Sequence, residues 1–274
     1  MALYQVKAYA KINIGLTVGK KMDNGYHPIH SYFALLDFYD DISVSMEESD
    51  CFSCFIDSSI KYLDDDQVDI MEKCARAFAL RSGKKFSMNI IIDKHIPFKA
   101  GLGGGSSDGA AIIKILNKHY HNIFSQEELL DLGASIGSDI PFFILDTNFA
   151  YASGRGEQLK KVNLPDSFDS VMLFLPDDEV STKGAYGKLD ALDYPFKTLP
   201  ESFSYPLSKR LFPNDFERVC KTDTLNQVLD IYKEDAYASL SGSGSSIFVL
   251  MDSFDKEKLM KMAPCDFIVK RILR

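Results

Sequence analysis

A run of glycines followed by two serines, GLGGGSS at 101–107, is the stretch whose residue types best suit chemistry. Glycine allows positive φ angles and lets backbone N–H groups approach a ligand closely. The two serines stand where a helix would begin, and a helix N-terminus offers unpaired N–H donors and the positive end of its dipole. The pattern therefore predicts an anion cradle, most simply for phosphate.

This stretch differs from the common phosphate-binding motifs. A P-loop ends in Gly-Lys-Ser/Thr, and no lysine follows these glycines. The dinucleotide and protein-kinase fingerprints have glycine in the sixth position, where Ser106 stands. The alternative is a flexible linker. Strand-like alternation at 86–92 before the run and a helical pattern at 110–120 after it favour a phosphate loop of another type.

A lysine and an asparagine lie two residues apart in a second candidate segment. Residues 6–18 alternate between apolar and polar types, which predicts a strand. Lys11 and Asn13 then share one face, about 6–7 Å apart. On periodicity alone this is a solvated face, and Lys11 has no assigned role.

An aromatic residue and an imidazole follow the turn sequence Asp23-Asn24-Gly25. Tyr26 and His27 are suited to stack on and hydrogen-bond a flat heterocycle. The alternative is a partly buried tyrosine beside an ordinary surface histidine.

Asp139 carries the third candidate function, that of a catalytic base. It follows a helix predicted by the capping box Ser125–Glu128 and ended by Gly137. Because Pro141 comes two residues later, Asp139 is also suited to cap a further helical turn. Both interpretations stay open at this point.

The elements that must position these residues fall into two parts. We predict an N-terminal domain at 1–158 and a C-terminal domain at 159–274, with the boundary in the segment 154–165. An acidic loop is expected at 61–69, before a helix. The C-terminal part reads β-α-β-β-α-β, the ferredoxin-like order, and SGSGSS at 241–246 reads as a tight turn between its two central strands.

The overall composition is that of a globular enzyme. The chain has 274 residues, 46% hydrophobic and 26% charged, and a net charge of -8, which disfavours nucleic acid and anionic membranes as partners. No run approaches the roughly 20 apolar residues of a membrane span, so we expect a cytoplasmic protein. Cys51 and Cys54 form a lone CxxC, which we interpret as strand packing rather than a zinc or redox site.

Four separated stretches together resemble the GHMP kinase superfamily: AKIN at 10–13, GYH at 25–27, PFKAGLGGGSSD at 97–108 and GSDIPFF at 137–143. The turn at 241–246 resembles the third motif of the superfamily. The resemblance implies an α+β, two-domain fold: an N-terminal domain like the second domain of ribosomal protein S5, and a ferredoxin-like C-terminal domain. Within the superfamily the chain most resembles the branch that acts on cytidine diphosphate methylerythritol in the non-mevalonate isoprenoid pathway.

The resemblance implies ATP-dependent phosphorylation of the 2-hydroxyl of that small-molecule substrate, with Mg²⁺ as cofactor and the chain as a monomer or homodimer. Lys11 and Asp139 match the catalytic pair of the family. The implied ATP-binding residues are Pro97, Lys99, Ala100, Gly101, Leu102, Gly103, Gly104, Gly105, Ser106 and Ser107. The implied substrate-binding residues are Asn13, Tyr26, His27, Thr182 and Tyr186.

One departure from the family pattern concerns the adenine. Where the family has an asparagine before its second helix, this chain has Asp69. A carboxylate only accepts hydrogen bonds, whereas an amide also donates. We therefore expect a different adenine contact.

Two other functions are compatible with these residues. One is a GHMP kinase for homoserine, mevalonate or a sugar, which would not need Tyr26 and His27 to hold a pyrimidine. The other is a nucleotide-binding regulator on the same fold, in which Asp139 would be dispensable. An S5-like RNA-binding module is disfavoured by the acidic charge.

Overall fold

The structure is a computed structural model that describes residues 1–61, 67–163, 168–176, 180–200, 211–251 and 256–273. The predicted acidic loop lies largely outside these ranges, as does the end of the predicted boundary segment. By contacts the chain forms two compact units. Unit 1 comprises Met1–Ala10, Phe38–Phe98 and Gly103–Thr147, and unit 2 comprises Lys11–Asp37, Lys99–Leu102 and Asn148–Arg274. The predicted division at residue 158 stays a prediction.

The described residues form both strands and helices. The strands are β1 (Ala2–Val18), β2 (Ile29–Glu48), β3 (Ser53–Ser58), β4 (Phe86–Asp93), β5 (Phe149–Ser153), β6 (Gln158–Lys161), β7 (Ser170–Phe174), β8 (Ala238–Leu240), β9 (Ile247–Met251) and β10 (Ile268–Arg271). The helices are α1 (Ile70–Ser82), α2 (Gly104–His119), α3 (Gln126–Ile136), α4 (Ile140–Ile144), α5 (Thr182–Asp190), α6 (Asp223–Tyr232) and α7 (Lys256–Lys261), with a short 3-10 helix at Asp215–Arg218.

Unit 1 is built on strand β4. It pairs antiparallel with the second half of β2 and parallel with β3, and its predicted alternation is confirmed, because Phe86, Met88, Ile90 and Ile92 are all buried. Helix α2 packs against α1 and α4. The capping box that starts α3 is present as predicted.

Unit 2 contains a four-stranded antiparallel sheet with the order β10-β7-β9-β8. With the helices between β7 and β8 merged, the chain order β-α-β-β-α-β is the predicted ferredoxin-like one. The segment 241–246 joins β8 to β9, which confirms the tight turn. Elsewhere in unit 2, the first half of β2 pairs with β5, and β5 pairs with β6.

The predicted strand at 6–18 is confirmed, and the solvated face that periodicity alone favours for Lys11 is not observed. Every residue of β1 from Ala10 to Val18 is buried, and Lys11 is only 4% exposed. A period-2 pattern shows which residues share a face but does not show whether that face meets water. The polar residues of this half-strand are therefore interior groups that need partners.

The two cysteines of the CxxC motif differ in their surroundings. Cys51 is exposed outside β3, contrary to the strand expected for it, whereas Cys54 lies within β3. Across the described ranges, no helix has the length and apolar character needed to cross a membrane. The cytoplasmic location stays a prediction.

An ion cluster of three side chains, here called the Lys94 cluster, lies inside unit 1. Lys94 Nζ donates to Asp40 Oδ2 at 2.6 Å and to Asp108 Oδ2 at 2.8 Å, and all three side chains are at most 3% exposed. Burial raises the pKa of Asp108 to about 7, although Lys94 opposes this shift. The two carboxylates raise the pKa of Lys94 despite its burial, so its ammonium stays charged throughout the acidic and neutral range.

We predict that Asp108 makes the stability of the protein fall as the pH rises. Its pKa is about 7 in the folded protein against an ordinary 3.8, so between these values the folded protein binds a proton that the unfolded chain releases. Asparagine does not titrate. The unfolding free energy of wild type minus that of Asp108→Asn should therefore decline from about pH 4 to about pH 7 and stay level above it. Urea denaturation across this range measures the difference, and a constant difference would contradict the assignment.

Candidate active site

The glycine stretch starts helix α2 and leaves that start without a side-chain cap. Gly101 and Gly103 have φ angles of 76° and 72°, which favour glycine, and Gly103 is the N-cap residue. Gly103 has no side chain that could accept from the N–H groups there, and the first turn of α2 contains no acidic residue. A helix of 16 residues that begins in this way presents its first N–H groups and its positive dipole end to an anion.

The predicted ATP-binding residues are divided between the units. Pro97 and residues 103–107 belong to unit 1, and residues 99–102 belong to unit 2. Lys99 also has a positive φ of 57°, which is uncommon for a residue with a side chain. The loop therefore has three residues in left-handed backbone conformations within five positions.

Within unit 2 the turn at 241–246 packs directly on the first part of this loop. Ser241 Oγ donates to Gly101 O at 2.9 Å, and Ser246 N donates to Ala100 O at 3.1 Å. A Cβ on Gly101 would lie 2.0 Å from Ser241 O. Residue 101 must therefore be glycine both for its φ and for space.

Lys11 and Asn13 form a buried polar chain with Ser31 on the neighbouring strand β2. Lys11 Nζ donates to Asn13 Oδ1 at 2.5 Å, and Asn13 Nδ2 donates to Ser31 Oγ at 2.9 Å. Lys11 Nζ also lies 4.7 Å from the centroid of the Phe33 ring. The backbone N–H of Lys11 donates to Leu102 O at 2.8 Å, which ties β1 to the loop. The ammonium is thus held in a fixed direction.

Asp139, in unit 1, occupies the N-cap position of α4, but its carboxylate makes no capping hydrogen bond. Its φ and ψ of -87° and -17° are helical, whereas a capping side chain usually requires an extended N-cap residue. The interpretation of Asp139 as a side-chain cap is therefore wrong. The side chain is half-buried.

Three aromatic residues of unit 2, Tyr26, His27 and Tyr186, are here called the aromatic cluster. The His27 and Tyr186 rings are stacked with centroids 4.6 Å apart, and His27 Nε2 lies 2.8 Å from Asp190 Oδ1. Tyr26 is 52% exposed, and the guanidinium carbon of Arg155 lies 4.6 Å from its ring centroid. The exposed ring of Tyr26 can stack on a flat heterocycle, whereas the His27 side chain is only 8% exposed.

Thr182 begins α5, and its hydroxyl lies 2.9 Å from Ser243 Oγ of the turn at 241–246. Sequence reasoning missed Arg155 and Asp190, which contact Tyr26 and His27. The only local signal was an arginine between two glycines and an aspartate four residues after Tyr186.

Asp69, the departure from the family pattern, has a structural role. It is the N-cap residue of α1, and its Oδ1 accepts from Met71 N at 2.7 Å. This contact needs only an acceptor, which an asparagine also supplies. The exchange of amide for carboxylate therefore preserves the start of α1.

Comparisons with known proteins agree with this architecture. Residues 69–147, which contain α1, α2 and Asp139, match the family described as GHMP kinases N terminal domain. This defines the class of protein.

Relatives spanning nearly the whole chain narrow the class further. A 4-diphosphocytidyl-2-C-methyl-D-erythritol kinase from Prosthecochloris aestuarii is 35% identical over 264 residues, covering 92% of this chain and 91% of the relative. One from Fusobacterium nucleatum is 35% identical over 272 residues, covering 93% and 91%. A crystal structure of 4-(cytidine 5'-diphospho)-2C-methyl-D-erythritol kinase is 26% identical with a TM-score of 0.70, covering 98% of this chain and 99% of that one.

The chain belongs to the GHMP kinases and, within them, to the family of 4-diphosphocytidyl-2-C-methyl-D-erythritol kinases. The predicted α+β GHMP kinase fold and the resemblance drawn from the four motifs are confirmed.

We predict that Gly101→Ala destabilises the protein by about 1–3 kcal/mol, because alanine at this positive φ is strained and its Cβ would overlap Ser241 O. Gly187→Ala is the matched control. Gly187 lies in α5 with nothing within 4 Å of its added Cβ, so alanine there should be neutral or stabilising by up to about 1 kcal/mol. Denaturant unfolding of both variants measures the difference, and equal effects would contradict the steric argument.

Proposed function

We propose that the protein transfers the γ-phosphoryl group of ATP to the 2-hydroxyl of 4-diphosphocytidyl-2-C-methyl-D-erythritol, giving the 2-phosphate and ADP. The observation that carries this proposal is the likeness of 35% identity, over 92% of the chain, to a kinase named for that substrate. The uncapped start of α2 and the aromatic cluster supply the two recognition elements such a reaction needs, one for phosphate and one for a base.

ATP would bind through the backbone of the glycine loop. Residues 101–107 would direct N–H groups at the triphosphate, and the first turn of α2 adds no negative charge to oppose it. The other implied ATP-binding residues, Pro97, Lys99 and Ala100, lead directly into this segment.

The residues present are compatible with Mg²⁺ that arrives with the nucleotide. Among the described residues, no group of three or more His, Cys, Asp or Glu side chains could hold a metal ion. Magnesium usually binds through substrate phosphates and one or two carboxylates rather than in an all-protein cage. It would supply charge neutralisation on the phosphate oxygens.

Asp139 and Lys11 would act on the reacting groups. The transition state of phosphoryl transfer is loose, so positioning and charge stabilisation matter more than covalent chemistry. The carboxylate of Asp139 would accept or orient the proton of the 2-hydroxyl. The ammonium of Lys11, held by Asn13, would offset the charge on the transferring group.

The aromatic cluster would recognise the cytosine. Arg155 lies over the ring of Tyr26, and the 52% exposure of that side chain leaves room for a stacked base. His27 and Tyr186 would contribute edge hydrogen bonds and further aromatic surface. Asn13 and Thr182 would contact other parts of the substrate.

We predict that Asp139→Asn lowers kcat by at least about a hundredfold, the usual scale for a group that handles a proton. The fold should be intact, because asparagine is close in size to aspartate and keeps one acceptor oxygen. Steady-state kinetics together with circular dichroism test this. A folded variant with unchanged kcat would support a regulator without turnover instead.

We predict that Tyr26→Ala raises the KM for the cytidylyl substrate by about tenfold, since stacking on an aromatic ring is worth about 1–3 kcal/mol per base. Tyr26→Phe keeps the ring and should stay near the wild-type value. The KM for ATP should not change in either variant. Equal effects of alanine and phenylalanine would count against stacking.

The substrate itself is best tested by phosphorus NMR of the products formed from ATP, Mg²⁺ and the cytidylyl methylerythritol. A new phosphomonoester signal with ADP formation is the expected result. Turnover of homoserine or mevalonate in parallel reactions, without turnover of the cytidylyl compound, would replace this proposal by another GHMP kinase activity.

A further inference from the structure

The Lys94 cluster buries three ionisable groups that the proposed chemistry does not use. Removing charges from water costs several kcal/mol per ion, and an apolar substitute for a buried ion pair is often equally stable. Stability alone is therefore a weak reason for a lysine between two aspartates in the interior of unit 1. The backbone contacts of the cluster suggest another reason.

One carboxylate of the cluster holds the chain just before the glycine loop. Asp40 accepts the Lys94 ammonium on Oδ2, and its Oδ1 accepts from His95 N at 2.6 Å and from Ile96 N at 2.8 Å. Asp40 is fully buried on β2. The entry to the loop is thus fastened to a strand by charge-assisted hydrogen bonds.

The other carboxylate holds the chain just after the loop. Asp108 follows the two serines directly and lies in α2, where it accepts from Lys94. Its second oxygen, Oδ1, is buried and has no hydrogen-bond partner among the described residues. Its hold on the cluster is therefore through the ammonium of Lys94.

The segments before and after the loop also pack against each other. A Cβ on Gly104, the first residue of α2, would lie 2.9 Å from Ile96 Cγ2 and 3.6 Å from Asp40 Oδ2. The residue that enters the loop therefore packs on the first residue of the helix. Lys94 binds the two carboxylates that hold the segments meeting at this contact.

We propose that Lys94 is a positioning residue that holds the two ends of the glycine loop in the arrangement needed to bind the triphosphate. This rests on the proposed function only in assigning ATP to the loop. Without the ammonium, the side chains of Asp40 and Asp108 lose the donor that joins them and would separate or draw in water. The positions of His95 and Ile96 relative to the start of α2 would then change.

The test is Lys94→Met, which keeps the length of the side chain and removes its charge. We expect MgATP to bind about tenfold more weakly by calorimetry, because small misplacements of binding groups are costly. The KM for ATP should rise in parallel, with kcat and the KM for the cytidylyl substrate changing less than about threefold. This split separates loop positioning from a general loss of folded protein.

Asn117→Ala is the matched control on the same helix. Asn117 is buried near the end of α2, and its side chain makes two hydrogen bonds to the backbone of Phe124, both 3.0 Å. Its loss should lower stability without changing ATP binding. An equal loss of ATP affinity in Asn117→Ala and Lys94→Met would overturn the proposal.

A second pair of variants decides the question if Lys94→Met does not fold. Asp108→Asn keeps an oxygen for Lys94 and should bind MgATP within about threefold of wild type, whereas Asp108→Ala should bind about tenfold more weakly. Equal affinities for this pair, or wild-type affinity in folded Lys94→Met, would overturn the proposal. Calorimetry with MgATP needs no second substrate, so failure of the cytidylyl compound to react would overturn the proposed function and leave this result standing.

Discussion

The uncapped start of helix α2 is the constraint on which the arrangement of this protein depends. Most helices satisfy their first N–H groups with a side chain, as Ser125 does for α3. Helix α2 begins with glycines, which have no side chain to accept a hydrogen bond from these N–H groups. Its start is kept available to a ligand, and its stability must come from elsewhere. The buried face of α2, packed against α1 and α4, supplies that stability.

Two interior polar groups, one in each unit, are held in similar ways. In unit 2, Lys11 is held by Asn13 and ties its own backbone to Leu102 of the loop. In unit 1, Lys94 is held by two carboxylates that reach the loop from both sides. Interior charges are costly unless they are paired and hydrogen-bonded, and then they fix direction better than apolar contacts do. Both lysines are therefore better explained by geometry than by stability.

Features that depend on neighbours in the sequence could be predicted. The strand at 6–18, the capping box at Ser125–Glu128 and the ferredoxin-like order all follow from spacing or turn chemistry. The resemblance of four motifs also identified the family correctly. The loop could be predicted from its motif, because its backbone conformation itself requires glycine.

Features that depend on distant residues could not be predicted. The burial of Lys11 is decided by what covers β1, and periodicity does not contain that information. Asp139 has the residue type and spacing of a cap, yet its backbone is helical and its carboxylate points to no capping bond. Asp40 and Lys94 are 54 residues apart. Strand β2 also contains Asp37 and Asp41, so no local feature marks Asp40 as the buried aspartate.

The contact between His27 and Asp190 gives the proposed cytosine site a means of distinguishing bases. A carboxylate only accepts hydrogen bonds, so Nε2 of His27 carries the proton in this contact at 2.8 Å. In the neutral ring Nδ1 is then an acceptor. Cytosine presents an amino donor on its pairing edge where uracil presents a carbonyl oxygen, so only cytosine satisfies an acceptor there. On the proposed assignment, Asp190 would make His27 selective by leaving Nδ1 as the acceptor for the base.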